Sequence, residues 1–454
     1  MRIGVAAIAI SDLIIRGADM TAHYSDEGIW QGKYLDTFNG KPGSWSFHTL
    51  SGSPQWTFFL FALHFLFAIQ LLLGYRTLLA NFMVWVFTVS LHNRNLFVLQ
   101  GGDDLLRLLL FWGLFLPWNH YYSFDSKKGR LRVGKRSFGS MAYFMLISSV
   151  YFFNVNLKTS SDWHADGTAI YYALSLDQLR LKPFGDMLYN YPSLMKLLTH
   201  VVYYTEFIIP VLILWPARKG YLRLLAFVLL ILLHSGIGLT LYIGLFFIIN
   251  IVSGIGLLPS NTLNFLQKKI PPLNTTKNPR VVFIKTAALF INVPAALISV
   301  VCLIVNLSSL NWFAYELKKE IIYPVNALRL DQYWGMFSPY VLKDDGWYVY
   351  YGADSLGRQW DLRTNEPGVN FSKPDYVVGM YRSDRWRKLA ENMQSDNYTF
   401  LRPMFCRYIL KRWNKEHPER KMKMMSFYFM KKTNLENYRT TEVKKELFCV
   451  CDEH

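Results

Sequence analysis

Apolar residues gather along this chain in long runs parted by short polar connections, a pattern that predicts membrane helices as far as residue 310. The opening stretch, MRIGVAAIAISDLIIR, is interrupted by Ser11 and Asp12 and shows no convincing cleavage site, so it reads as a short retained helix. Runs at 56–73 and 77–91 are separated only by GYR, which predicts an antiparallel helical hairpin. The segment HNRNLFVLQGGDDLLR then brings polar groups between two runs. Asp103 and Arg107 sit there at helix spacing, expected as an ion pair where a fourth run opens toward Pro117. Further runs at 138–153, 195–215 and 221–239, one ending at Leu258 and one at 281–307, bring the expected number of spans to about nine.

Beyond residue 310 the pattern changes. The stretch DDGWYVYYGADSLGRQWDL alternates around a glycine-containing turn and predicts a β-hairpin. DRWRKLAENM and FLRPMFCRYILKRWNKEH read as amphipathic helices, and KMKMMSFYFMKK as a closing strand. The expected fold is therefore an α-helical integral membrane protein, residues 1–310, followed by a small extracytoplasmic α+β domain, residues 311–454.

Composition agrees with that division. Of the 454 residues, 52% are hydrophobic and 18% charged, too apolar for an ordinary soluble enzyme. The net charge of +17 raises the question of nucleic acid, but no recognisable nucleic-acid motif accompanies the basic residues, so lipid headgroups are the expected partner. Lys127, Lys128, Arg130, Arg132, Lys135 and Arg136 form the densest basic cluster in a short connection, which the positive-inside rule places in the cytoplasm. ARKGYLR and the loop with Lys268, Lys269, Lys277 and Arg280 fall on the same side by the same rule. The N-terminus is then inside and the last domain outside. HYSDEGIW, HNRN and the segment after the fifth run share the outer mouth.

That last segment, LKTSSDWHADGTAIYYAL, carries the sharpest candidate chemistry. Lys158 stands where apolar character ends, a costly place for a charge unless it is used or snorkels to the interface. Asp162 follows four residues on, so a continuing helix would put both on one face. Glu206 and His234 lie within apolar runs, where ionisable groups are either satisfied locally or functional. Of four cysteines, Cys302 sits in an apolar run, and the sequence leaves open whether two of Cys406, Cys449 and Cys451 pair. CVC near the end is a weak metal signal, and no metal is expected. There is no Walker loop, dinucleotide glycine fingerprint, paired-histidine zinc motif or nucleophile elbow.

Taken together and in order, HYSDEG, SLHNRN, GGDDLLRLLLFWGLFLP, SFD, LKTSSDWHADGTAIYYAL, HSGIGLTLYIGLF and DQYWGMFSP resemble the horizontally transferred transmembrane domain family. That family is the bacterial branch related to vitamin K-dependent gamma-carboxylase. The resemblance implies an enzyme of the bacterial cytoplasmic membrane. Such an enzyme oxidises reduced vitamin K, or another hydroquinone, with oxygen, and the resulting base removes a γ-proton from a peptide glutamate that then captures carbon dioxide. The family's initiating lysine lies in a K-x-x-x-D-W context, which Lys158, Asp162 and Trp163 match. His234 matches a histidine placed to bond a quinone oxygen, ahead of a glycine and a phenylalanine that correspond to Gly244 and Phe246. A further histidine of the carboxylase falls on Gly102, with His92 out of register. The expected cavity is completed by Asn93, Arg94, Asn95, Gly101, Gly102, Asp103, Arg107, Trp163, Glu206 and Gly244. The chain is shorter than the carboxylase and has little room for its large propeptide-binding domain, so a secreted peptide substrate would be recognised differently. Two other readings stand beside this one. One is a non-carboxylating helper in maturation or export of a secreted peptide. The other is a transporter lined by Glu206, Asp103 and Lys158, although neither inverted repeats nor broken helices are seen.

Overall fold

The computed structural model describes residues 1–35, 42–120, 122–128, 138–216, 220–269, 285–310, 313 and 318–453. Much of the basic sequence used to assign sides lies outside these residues: Arg130, Arg132, Lys135, Arg136, Arg218, Lys219, Lys277 and Arg280.

Helix α1 (Arg2–Gly17) packs on α2 (Pro54–Leu73), which with α3 (Thr77–Arg94) forms the expected hairpin. Ser53 caps α2 by accepting from the Trp56 amide, and Pro54 starts it where no amide donor is needed. Gly74 ends it at a left-handed φ of 69°. Asp125, from the SFD motif, accepts from the Thr77 amide at 2.7 Å and the Arg76 amide at 3.0 Å, so it caps α3 from a distant loop. Next come α4 (Gly101–Gly113) and α5 (Phe138–Leu157), then the short α6 (Ala169–Ser175), α7 (Pro192–Leu214), α8 (Tyr221–Thr240), α9 (Phe246–Gly254) and α10 (Lys285–Leu307). Helix α5 packs on α7 and α10, α7 on α8, α8 on α9, and α9 on α4.

Among the described residues four helices are long and apolar enough to cross a membrane: α2, α5, α7 and α8. At about 1.5 Å per residue, 20 residues reach about 30 Å, the thickness of a hydrocarbon core. Their outward faces are apolar, with Phe58 and Leu66 on α2, Phe207 and Val211 on α7, and Leu232 and Leu239 on α8 exposed. Such faces suit lipid. Helices α1 and α4 are shorter and bury charged residues, so the expected count of nine is not reached by length and composition alone.

The C-terminal part is a five-stranded antiparallel sheet in the order β3-β2-β1-β4-β5: β1 (Asp344–Ala353), β2 (Gln359–Asp361), β3 (Glu366–Pro367), β4 (Met424–Thr433) and β5 (Lys444–Asp452). The expected hairpin is β1–β2, its turn held by Asp354 accepting from the Leu356 and Arg358 amides. The two expected helices are α11 (Asp384–Gln394) and α12 (Leu401–Glu416). One correction concerns KMKMMSFYFMKK, which is not a closing strand: β4 lies inside, and β5 forms the edge. Tyr348, Phe405, Phe427 and Phe429 fill the space between sheet and helices. Cys406 of α12 and Cys451 of β5 form a disulfide, with Cα atoms 6.2 Å apart, while Cys302 and Cys449 are free thiols.

Candidate functional site

Two buried polar groups stand out, and one peptide segment touches both. The first is built on α5. Tyr151, Asn154 and Lys158 recur at three- and four-residue spacing, which places them along one stripe at the helix end. The helix stops at Leu157, so Lys158 is not on a continuing helix with Asp162. Its ammonium instead forms an ion pair with Glu206 of α7, and both side chains are almost fully buried, at 3% and 5% exposure. Asn154 donates to the other Glu206 oxygen at 3.0 Å. The Trp163 ring lies over the ammonium, its centroid 3.8 Å from Nζ, a cation–π contact strengthened by burial. Burial lowers the lysine's proton affinity below its ordinary value, and the Glu206 carboxylate opposes that.

Asp162 has other work. It accepts from the Thr168 hydroxyl at 2.9 Å and lies 3.5 Å from the Lys343 ammonium, so it tethers the segment after Lys158 to the start of β1. The expectation that Asp162 holds Lys158 is corrected on this point: Glu206, 48 positions away, is the partner.

Further along α5, the Tyr151 hydroxyl meets His234 Nε2 at 2.8 Å. The other ring nitrogen, Nδ1, is buried without a partner among the described residues, and Phe246 stands edge-on with ring centres 5.6 Å apart. Gly101 and Gly102 allow α9 to come close, since a Cβ on Gly102 would lie 3.2 Å from the Phe246 Cα. Gly244 adopts φ +58°, and a Cβ there would meet Asp384 Oδ2 at 2.7 Å.

The second group joins α1, α3, α4 and α11. Asp103 is not paired with Arg107. Its carboxylate takes Arg16 and Arg385, while Arg107 pairs with Asp104 at 2.9 Å. The expected pairing is corrected: Arg107 takes the next aspartate, at a three-residue and not a four-residue spacing, while Asp103 also accepts from the Gln100 amide and so caps α4. Asp12 completes a neutral quartet through Arg16 at 2.7 Å and Arg385 at 2.6 Å. Ligand atoms of Asp12, His92 and Asp103 lie within 4.8 Å of one another, but the two guanidinium groups already occupy the carboxylates. Around the quartet, Asn93 donates to the Trp45 carbonyl at 2.7 Å, Arg94 reaches the Trp30 carbonyl and Asp26, and Asn95 donates to the His23 carbonyl at 2.9 Å. HNRN, GGDD and HYSDEG therefore meet, but the single cavity expected of them together with TSSDW is divided into two polar groups.

TSSDW belongs to the first group, and DQYWGMFSP connects the two. Arg107 donates to the Asp331 carbonyl at 3.0 Å. Five residues later the Met336 amide donates to Asn154 at 3.1 Å, Trp163 donates to the Phe337 carbonyl at 2.9 Å, and the Ser160 amide donates to the Pro339 carbonyl at 3.2 Å. Phe337 is held at φ +53°, a conformation that side chains rarely adopt. A small recess lined by Ser149, Cys302, Asn306 and Gln332 includes neither Lys158 nor His234.

The residues that sequence reasoning left out are Asp12, Arg16, His92, Tyr151, Asn154 and Arg385. Asp12 and Arg16 carried a signal, a four-residue spacing inside an apolar helix; Asn154 carried the same spacing before Lys158. Arg385 carried none, since its partners are more than 280 positions away.

Compared with family models, with curated proteins and with solved structures, the chain matches none.

Proposed function

We propose that this chain is a membrane enzyme of the horizontally transferred transmembrane domain family. It would couple oxidation of a reduced quinone to carboxylation, or a related modification, of a peptide glutamate, with Lys158 as general base. The observation that carries the reading is the buried Lys158–Glu206 pair under the Trp163 ring, at the end of a membrane-length helix. A snorkelling lysine would reach for the headgroups; this one turns inward and is paired.

The pair suits a base for a physical reason. In a low-dielectric site the forms Lys⁺/Glu⁻ and neutral Lys/protonated Glu both carry no net charge, so moving one proton between them frees the amine without stranding a charge. Asn154 keeps the carboxylate in place, and the indole excludes water from the ammonium. His234 fits a quinone in one respect, its buried Nδ1, which has no partner among the described residues: in the tautomer in which Nε2 accepts from Tyr151, Nδ1 carries the ring proton and can offer it to a quinone oxygen. When bound, the reduced quinone would supply reducing equivalents to oxygen.

We further propose about nine spans, the N-terminus in the cytoplasm and the sheet domain outside, in a bacterial cytoplasmic membrane. Reporter fusions after Arg132 and after Asp361 should report opposite sides; equal sidedness overturns the topology.

Lys158→Arg tests the chemistry. Arginine keeps the charge and reach but stays protonated at any working pH. Membranes carrying the variant, supplied with vitamin K hydroquinone, oxygen and labelled bicarbonate, are expected to lose about 10²–10⁴-fold in label incorporated into secreted peptide. Full activity in the arginine variant would end the base assignment, and dependence of peptide secretion on the protein without added carboxyl groups would favour the helper reading.

A further inference from the structure

A short helix, Phe184–Tyr189, crosses the ends of α7 and α8 on the side of the sheet domain and packs on both. It is pinned at Thr240, the last residue of α8. The Leu181 amide donates to the Thr240 carbonyl at 2.9 Å, and a Cβ on Gly185 would lie 2.7 Å from the same oxygen, so glycine allows the close approach. Leu188 and Tyr189 turn inward, onto the cluster that contains Trp163 and Tyr172. The other side is open: Phe184 is 49% exposed, Met187 58% and, just before α7, Tyr191 61%. Three large apolar or aromatic side chains exposed within eight residues make a patch, unlike the single exposed residues scattered over an ordinary soluble surface.

Position says what covers the patch. From Tyr191 the exposed residues Leu194, Leu197 and Val201 carry the same apolar surface along α7, and exposed Leu239 closes α8 beside Thr240. These two helices have the length and composition of membrane spans, so the open side of the short helix prolongs a face that lipid already suits. The nearby charges agree with that occupant. Asp186, the single carboxylate of the short helix, is paired with Arg180 at 2.8 Å. Lys182 before the helix and Lys196 in the first turn of α7 are exposed, and their long stems suit a headgroup layer. An apolar turn with a tyrosine and flanking lysines, at the end of two spans, has the make-up of an interfacial anchor.

We propose that the short helix and Tyr191 form a foot that lies in the headgroup boundary of the bilayer on the sheet-domain side, with Phe184, Met187 and Tyr191 among the upper acyl chains. The foot is tied to both parts of the molecule. The Tyr189 ring stacks on Tyr171 of α6 with centres 5.8 Å apart, its carbonyl accepts from the Tyr438 hydroxyl at 2.7 Å, and Lys182 donates to the Asp375 carbonyl at 3.1 Å. It therefore sets the height of the sheet domain, and of the segment that follows Lys158, above the lipid. The proposal requires α7 and α8 to lie in a membrane and is independent of the reaction proposed above.

The test uses the full chain in phosphatidylcholine nanodiscs. Cys302→Ser and Cys449→Ser remove the free thiols and leave the Cys406–Cys451 disulfide. In that background a nitroxide is placed singly at Phe184→Cys, Met187→Cys or Tyr191→Cys, with Leu232→Cys on the exposed face of α8 as the lipid reference and Leu356→Cys, in the turn after β1, as the water reference. Collision with oxygen, which concentrates in lipid, is compared with collision with a nickel chelate, which stays in water. The oxygen-to-nickel ratio at all three foot positions is expected to exceed that at Leu356 at least about threefold, as for residues sunk about 5–10 Å into the boundary. Phe184→Asp combined with Met187→Asp should lower the ratio at Tyr191, because the three side chains enter lipid as one surface. Ratios equal to that at Leu356 overturn the proposal, as does a Tyr191 ratio that the double variant leaves unchanged. Shielding of the foot from both reagents overturns it as well, and spin–spin broadening that grows with copies per disc would then identify a second copy as the occupant.

Discussion

Arg385 stands 282 positions after Asp103, yet its guanidinium donates to both oxygens of that carboxylate, at 2.5 Å and 2.8 Å. It also donates to the Val98 carbonyl at 3.0 Å and to Asp12 at 2.6 Å. An arginine of the sheet domain is thus sunk among helices of the N-terminal part. Asn392 adds a bond to the Phe97 carbonyl at 2.7 Å, about two turns further along α11. The boundary drawn near residue 310 is therefore one of sequence character, and the hydrophobic core continues across it.

Truncating Arg385 leaves Asp12 and Asp103 with one cation between them. Arg385→Ala is expected to cost about 3–5 kcal/mol, the usual penalty for breaking a buried ionic group from one side. Arg385→Met combined with Asp103→Asn removes a charge of each sign and should cost less. Thermal unfolding in detergent measures both, and a loss under about 1 kcal/mol for the alanine variant would show that the quartet is not closed in the membrane.

Glu206→Gln removes the charge that sustains the Lys158 ammonium. Burial then acts alone, so the lysine should give up its proton at lower pH than in the parent protein. The pH profile of labelling is expected to shift to the acid side in this variant while membrane expression persists. An unshifted profile would mean that Lys158 does not limit the reaction.

The Asp345 carboxyl is pushed up to about 6, first by burial and then by the nearby Asp177 carboxylate, with Lys432 at 3.6 Å opposing. In the unfolded chain an aspartate titrates near about 3.9. The folded protein therefore holds this proton more tightly, and between about pH 6 and pH 4 the contribution of Asp345 to stability rises as pH falls. Asp345→Asn should lose stability relative to the parent protein as pH drops from about 7.5 to 4, by roughly 1–3 kcal/mol. Denaturant unfolding at the two pH values measures it; a pH-independent difference would place the titration elsewhere.

Gly244→Ala would force a side chain into a left-handed conformation at φ +58° and set a methyl group against Asp384. The backbone term alone is about 1–2 kcal/mol. Hydrogen exchange should rise in α11 more than in α5, because Asp384 opens that helix. A uniform rise would argue that Gly244 serves the helix bundle and not the docking of α11.

Long apolar runs were legible because helices in a bilayer must satisfy their own backbone, so hydropathy alone marks α2, α5, α7 and α8. Lys158 was legible as an exception to its surroundings. Its partner was not: Glu206 is equally exceptional, but nothing local says that two such residues 48 positions apart will meet. Local spacing even misled, offering Asp162 to Lys158 and Asp103 to Arg107 where the fold uses Glu206 and Asp104. In the sheet, alternation revealed β1 and β2, whereas the place of β4 followed from β5, a strand with charged residues at both ends and weak alternation.

The run from Asp331 to Pro339 has a mechanical meaning. It leads straight into β1, and on its way it holds Arg107, Asn154, Trp163 and Ser160 through its own amide and carbonyl groups. Polypeptide backbone stretches very little, so a load applied to the sheet arrives at the indole that roofs the lysine. By thermodynamic reciprocity the coupling works in both directions, and whatever tilts the indole also bears on the sheet.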